Sequence, residues 1–211
     1  MKFDSGIAAK YRRSIEDAFQ TILDKGNETH RRTARLILDS QMRIYVAPVS
    51  KVHASGLSGV INPSATNEKI ASERLSLTDA LGEVFITVAE ETLGSQRGAE
   101  GTYVHENQHA LDFALVIESF SNADLNPLSI YDPTLYELEW AAHVVSGEYM
   151  LQVGKDEYLN EGLDLMILGR NENGCFLNHD GIRCRLKDNY GMELGGNVGR
   201  LASEMVGLRL G

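Results

Sequence analysis

The chain has 211 residues, about one to one and a half times a typical domain of roughly 150, so one compact domain with elaborations is expected. Hydrophobic residues at 43% and charged residues at 24% are ordinary for a folded globular protein and exclude disorder over most of the length. Twenty basic residues against 30 acidic ones, net −10, exclude a generic nucleic-acid binder; no uncharged apolar run approaches the roughly 20 residues of a membrane-spanning helix.

The N-terminal residues Met1 to Gly6 contain no apolar h-region, so no Sec-type signal is read; the default compartment is the cytoplasm, with export by a signal-less route as the alternative. Apolar positions Ile7, Ala8, Tyr11, Ile15, Ala18, Phe19, Ile22 and Leu23 follow helical spacing, with Gly26 as the stop. A second helix is expected over Glu28 to Ser40; the sequon Asn27-Glu28-Thr29 is taken as chance. Arg43 to Pro48 is β-branched and aromatic and reads as a strand ended by proline. Residues 51–80, rich in Gly, Ser, Asn and Thr, read as loop with short strands or turns. Gly82 to Ala89 is the best strand in the chain.

Gly101 and Thr102 open a long apolar-rich helix to about Phe120, followed by a loop over 121–127. Asp132-Pro133 reads as a helix start, with the helix running through Met150 to Gly154. Further helices are expected at about 156–169 and 197–209. Helices, a few strands and then helices make an α+β domain, with a core over about 41–155 and helical elaborations at 1–40 and 156–211.

Within the long helix stands His105-Glu106-Asn107-Gln108-His109. Residues four apart share a helix face, so both imidazoles reach one metal ion, and neutral imidazole is a good Zn²⁺ ligand. Glu106, beside His105, is placed to act as a base toward water on that metal. The bland alternative is an ordinary helix with two solvated histidines. A strong strand precedes the motif, and a second helix with Glu137, Glu139 and His143 follows it.

In this combination the sequence resembles the zincin metallopeptidases, in their gluzincin-like branch, over about residues 83–150. There, two histidines on one helix and a glutamate on the next hold the metal, with that glutamate often in an E-x-x-A-[D/E] setting. Glu139-Trp140-Ala141-Ala142-His143 fits E-x-x-A, with His143 where an acid is usual. His143 is then either a hydrogen-bonding neighbour of the ligands or itself the third ligand. Glu137 and Glu139 point about 160° apart on a helix, so only one faces the metal. Glu139 is preferred, which leaves Glu137 as a surface acid. The metzincin branch is set aside because Asp112 and Leu115 stand where it needs Gly and His or Asp. Asp112 reads either as a support for His109 or as an exposed acid.

The resemblance implies a minimal zincin-like domain with a small mixed sheet, holding Zn²⁺ on His105, His109 and Glu139. It implies hydrolysis of peptide bonds in a protein or peptide substrate, with Glu106 as general base. It also implies a substrate lying as an added strand against an edge strand, expected at residues 83–89. Tyr131, Tyr136, Tyr190, His143 and His179 are candidates to stabilise the oxyanion, and the net −10 charge favours basic peptides. Two rival readings are an inactive zincin-like binding module and a metal-free helical interaction protein. Elsewhere, Cys175, His179 and Cys184 are too few for a structural zinc site and read as a buried thiol pair or a disulfide across the turn 178–181. Trp140 reads as core packing beneath the site.

Overall fold

The computed structural model describes residues 1–94, 96–154, 158 and 166–210. It is a mixed α+β structure built around a small sheet and two long helices. Two helices open the chain, α1 (Ala9–Lys25) and α2 (Glu28–Asp39). α1 buries Ile15, Ala18, Phe19 and Ile22, the stripe its apolar spacing dictates. Asn27 caps α2: its side chain accepts from the His30 N–H, and His30 Nδ1 accepts from the Asn27 N–H. The sequon asparagine is thus a helix cap.

The main sheet has the order β1-β2-β4-β3, from β1 (Lys2–Phe3), β2 (Arg43–Ala47), β3 (Gly56–Val60) and β4 (Val84–Ala89). β2 lies parallel to β1 and β4, while β3 is antiparallel to β4. On β4, Val84, Ile86 and Val88 are fully buried and alternate with half-buried Phe85 and Thr87, as a pleated strand with one core face requires. The strand expected to be the edge is therefore interior. β4 is paired on both sides, and the edge strand next to it among the described residues is β3, one of the short strands allowed for in the stretch 51–80.

That stretch also holds α3 (Val49–Val52), α4 (Pro63–Ser72) and α5 (Leu77–Leu81). Their start signals are local: Asn62 accepts from the Ala65 N–H ahead of Pro63, and Ser76 forms a capping box with Asp79. α4 buries only Thr66 and Ile70, so its apolar periodicity is faint.

α6 (Gln96–Ser121) begins five residues before the expected start and packs on α1, α4, α5, β3, β4 and α7. Covered on so many sides, it buries Tyr103, Val104, Phe113, Val116 and Ile117 around its whole circumference. α7 (Leu135–Val153) starts after Thr134, whose side chain forms a capping box with Glu137, and not at Asp132-Pro133. Asp132 instead accepts from the Ser203 N–H at 2.9 Å and its hydroxyl at 2.7 Å.

The expected helix at 156–169 lies mostly outside the described residues, and its end is strand: β5 (Leu168–Asn171) pairs with β6 (Gly174–Leu177). Residues 178–181 are no turn but the start of α8 (His179–Tyr190), capped by the Asn178 side chain. The last helix is shorter than expected, α9 (Ala202–Val206). Residues 198–201 are not helical and serve α7: the Arg200 and Val198 carbonyls accept the free N–H groups of Leu135 and Tyr136. One continuous apolar cluster runs from Ile7 to Leu208. No helix among the described residues is long and apolar enough to cross a membrane.

Candidate metal centre

α6 and α7 run antiparallel: Gly101 lies beside Met150 near one end, and His109 faces Glu139 further along. Between them opens a cleft of about 580 Å³. β3 walls one side of it, through Gly56, Leu57 and Ser58, and the end of α8 adds Arg185 and Tyr190.

His105, Glu106, His109, Glu139 and His143 all line this cleft. His105 Nε2 and His109 Nε2 are 3.0 Å apart, with their rings edge to face at 84°. Glu139 places Oε2 3.5 Å from His105 Nε2 and Oε1 3.5 Å from His109 Nε2. One ligand atom from each of the three residues lies within 4.8 Å of the others, so the group can hold a metal ion. A tetrahedral zinc with bonds of about 2.0–2.2 Å spaces its ligand atoms roughly 3.3–3.6 Å apart, close to the separations found here. The donor set of two imidazoles and one carboxylate also fits a borderline cation that keeps an open position.

Glu137 is excluded from this group by its own cap. Its Oε2 accepts from the Thr134 N–H and hydroxyl, both at 2.8 Å, on the exposed side of α7. His143 sits one turn past Glu139, 3.7 Å from its Oε2 and 4.8 Å ring to ring from His105. Among the described residues neither of its buried ring nitrogens has a hydrogen-bond partner, and burial together with the neighbouring His105 pushes its pKa down to about 3. It borders the group as neutral imidazole.

Burial by itself would raise the Glu139 carboxyl, but the two facing imidazoles override it and hold the group well below the usual carboxylate range. It is thus an anion, as a ligand must be. Burial works against a proton on His109 as well, yet Glu139 draws one there and raises its pKa. A proton would therefore compete with any cation held at His109.

The other residues singled out by sequence divide cleanly. Tyr190 reaches in from α8, and its hydroxyl donates to Glu139 Oε2 at 3.3 Å. Desolvation and the Glu139 charge keep that phenol protonated, far above its ordinary pKa. Tyr131 instead donates to Asp112 Oδ1 at 2.9 Å, where Gln108 also bonds, so Asp112 ties the loop before α7 to α6 and makes no bond to His109. Tyr136 stacks on Trp140, and Trp140 stacks in turn on His179 and carries Arg183 over its ring. Trp140 is half-buried and packs against the core, as expected, and through His179 and Arg183 it also joins α7 to α8. Cys175 and Cys184 are free thiols, the first half-buried in β6 and the second exposed on α8.

Ser58 was not among the sequence candidates. Its hydroxyl donates to Glu106 Oε2 at 2.7 Å. Nothing in an isolated Gly-Leu-Ser-Gly run signals this, because the contact joins positions 48 residues apart.

No protein-family model, curated protein or solved structure matches this chain.

Proposed function

We propose that the protein is a zinc-dependent peptidase that binds its substrate as an extended strand along β3. The observation that supports this most is the convergence of His105, His109 and Glu139 on one point, with the Glu106 carboxylate beside it in the same cleft. His105, His109 and Glu139 would hold the ion. Bound there, Zn²⁺ supplies a Lewis acid that makes water acidic near pH 7 and polarises a carbonyl.

The chain's own groups account for the rest. Glu106, 5% exposed and next in sequence to a ligand, takes a proton from water as the water oxygen joins the carbonyl carbon. It then passes that proton to the amide nitrogen as the C–N bond breaks, leaving a carboxylic acid and an amine. Tyr190 keeps its proton and projects from α8 toward Glu139, the position from which it donates to the developing oxyanion. The free edge of β3 offers backbone groups to a peptide, and cleft walls from two helices shield the reacting atoms from bulk water.

The test is Glu106→Ala, assayed for zinc by elemental analysis and for cleavage of a denatured-protein or peptide-library substrate. The variant retains about one zinc per chain and loses cleavage. Unchanged cleavage refutes the mechanism. No zinc in the wild type, even after incubation with excess Zn²⁺, refutes the metal centre and favours an interaction protein.

A further inference from the structure

We propose that Ser58 is a positioning residue for Glu106, and that β3 couples the docking of a peptide to the aim of the general base. The proposal rests on the peptidase reading above. Glu106 lies flat against β3. The Ser58 hydroxyl is 2.7 Å from Glu106 Oε2 and 3.2 Å from the Glu106 backbone carbonyl, so its proton goes to the carboxylate and the carbonyl lies alongside. Two residues earlier, on the same face of the strand, Gly56 leaves room for the rest of the carboxylate. A Cβ there would stand 2.7 Å from Glu106 Cγ and 2.8 Å from Oε1. The carboxylate is thus held with Oε2 on a hydroxyl and Oε1 over a bare backbone, where it accepts a proton. Leu57, between them, points to the opposite face and is exposed.

The ladder gives these two residues a second role. The Ala89 N–H bonds to the Ser55 carbonyl, and the Ile61 N–H to the Glu83 carbonyl. In an antiparallel pair such bonds fall on alternate residues. Positions 55, 57, 59 and 61 therefore turn their backbone groups toward β4, and Gly56 and Ser58 turn theirs to the free edge. A peptide added to β3 hydrogen-bonds the backbone of the two residues that grip Glu106. Occupying the edge fixes the strand, and fixing the strand fixes the base; serine at 58 and glycine at 56 are required together.

The experiment compares wild type, Ser58→Ala, Ser58→Thr and Gly56→Ala, with Glu106→Ala as the inactive control, using steady-state cleavage of one peptide, zinc content and thermal unfolding. Ser58→Ala is expected to lower kcat about 10- to 100-fold, because a misaimed catalytic group costs that much. KM, zinc content and Tm stay at wild-type values. Ser58→Thr, which keeps the hydroxyl, restores most of kcat, and Gly56→Ala lowers kcat because its methyl displaces the carboxylate. A further readout needs no turnover: in ¹³C-glutamate-labelled, metal-free protein the Glu106 carboxylate signal, assigned by its loss in Glu106→Ala, moves in Ser58→Ala and returns in Ser58→Thr. Wild-type kcat in Ser58→Ala, with Glu106→Ala inactive, overturns this proposal alone. An unmoved carboxylate signal does the same. A wild type that cleaves nothing overturns it together with the peptidase reading.

Discussion

Two glutamates two residues apart on α7 have opposite roles, and thermal unfolding with and without Zn²⁺ separates them. Glu139 faces both imidazoles, whereas Glu137 closes the capping box on Thr134. An ion that binds only the folded state stabilises it by RT ln(1 + [L]/Kd), or about 2.7 kcal/mol when free zinc is about one hundred times Kd. A chain of this size gains about 2–4 °C per kcal/mol, so wild-type Tm is expected to rise by about 5–11 °C on adding the metal. Glu139→Ala removes one of the three side chains proposed to hold the ion. If affinity falls about 100-fold or more, the same free zinc contributes about 0.4 kcal/mol or less, a shift within about 2 °C. Glu137→Ala behaves in the reverse way. It removes the acceptor for two hydrogen bonds at the start of α7 and lowers stability by about 0.5–2 kcal/mol in either condition, yet keeps the full zinc shift. The assay is a melt monitored by circular dichroism at fixed free zinc. A zinc shift retained in Glu139→Ala and lost in Glu137→Ala refutes the assignment. A shift that survives in both refutes the α7 carboxylate as ligand.

Tyr190→Phe is expected to lower kcat about 100-fold, the cost of one oxyanion donor, with zinc content unchanged. A loss of zinc in place of kcat would assign the hydroxyl to holding Glu139, its partner at 3.3 Å. His30 predicts an acid sensitivity of the fold. Burial lowers its pKa, its Nδ1 accepts from the Asn27 N–H, and its Nε2 lies 2.9 Å from the Val145 carbonyl on α7. The unfolded chain binds a proton at about pH 6.5 that the folded chain resists, so this residue costs nothing well above that pH and destabilises as pH falls below it. Melts at pH 7.5 and 5.5 are expected to show a smaller acid loss in His30→Gln than in wild type; an equal loss in both would refute the role.

The parts of this protein legible in its sequence are those set by short-range rules. The stripe on α1, the caps at Gly26 and Gly154 and the alternation in β4 need only local spacing, and the structure has each of them. The placement of His105 and His109 on one helix face follows from the 3.6-residue turn, and so does the separation of Glu139 from Glu137. Within 51–80 the cap signals at Asn62 and Ser76 are as local, but the helices they open are too short and too sparsely apolar to show a periodicity.

What the tertiary structure alone decided is which elements are neighbours. The edge of the sheet passes from β4 to β3 because β4 is paired on both sides, a property of strand order that no run of residues encodes. Asp132 leaves the cap of α7 for Ser203, 71 residues away, and residues 198–201 give up their helix to accept the first N–H groups of α7. Ser58 meets Glu106 and Tyr190 meets Glu139 by the same kind of long-range closure. The residues that could hold a metal ion are readable from sequence because helical geometry places two of them, His105 and His109, about one turn apart. Ser58 and Tyr190, which contact Glu106 and Glu139, are not, because their positions depend on the packing of separate elements around the cleft.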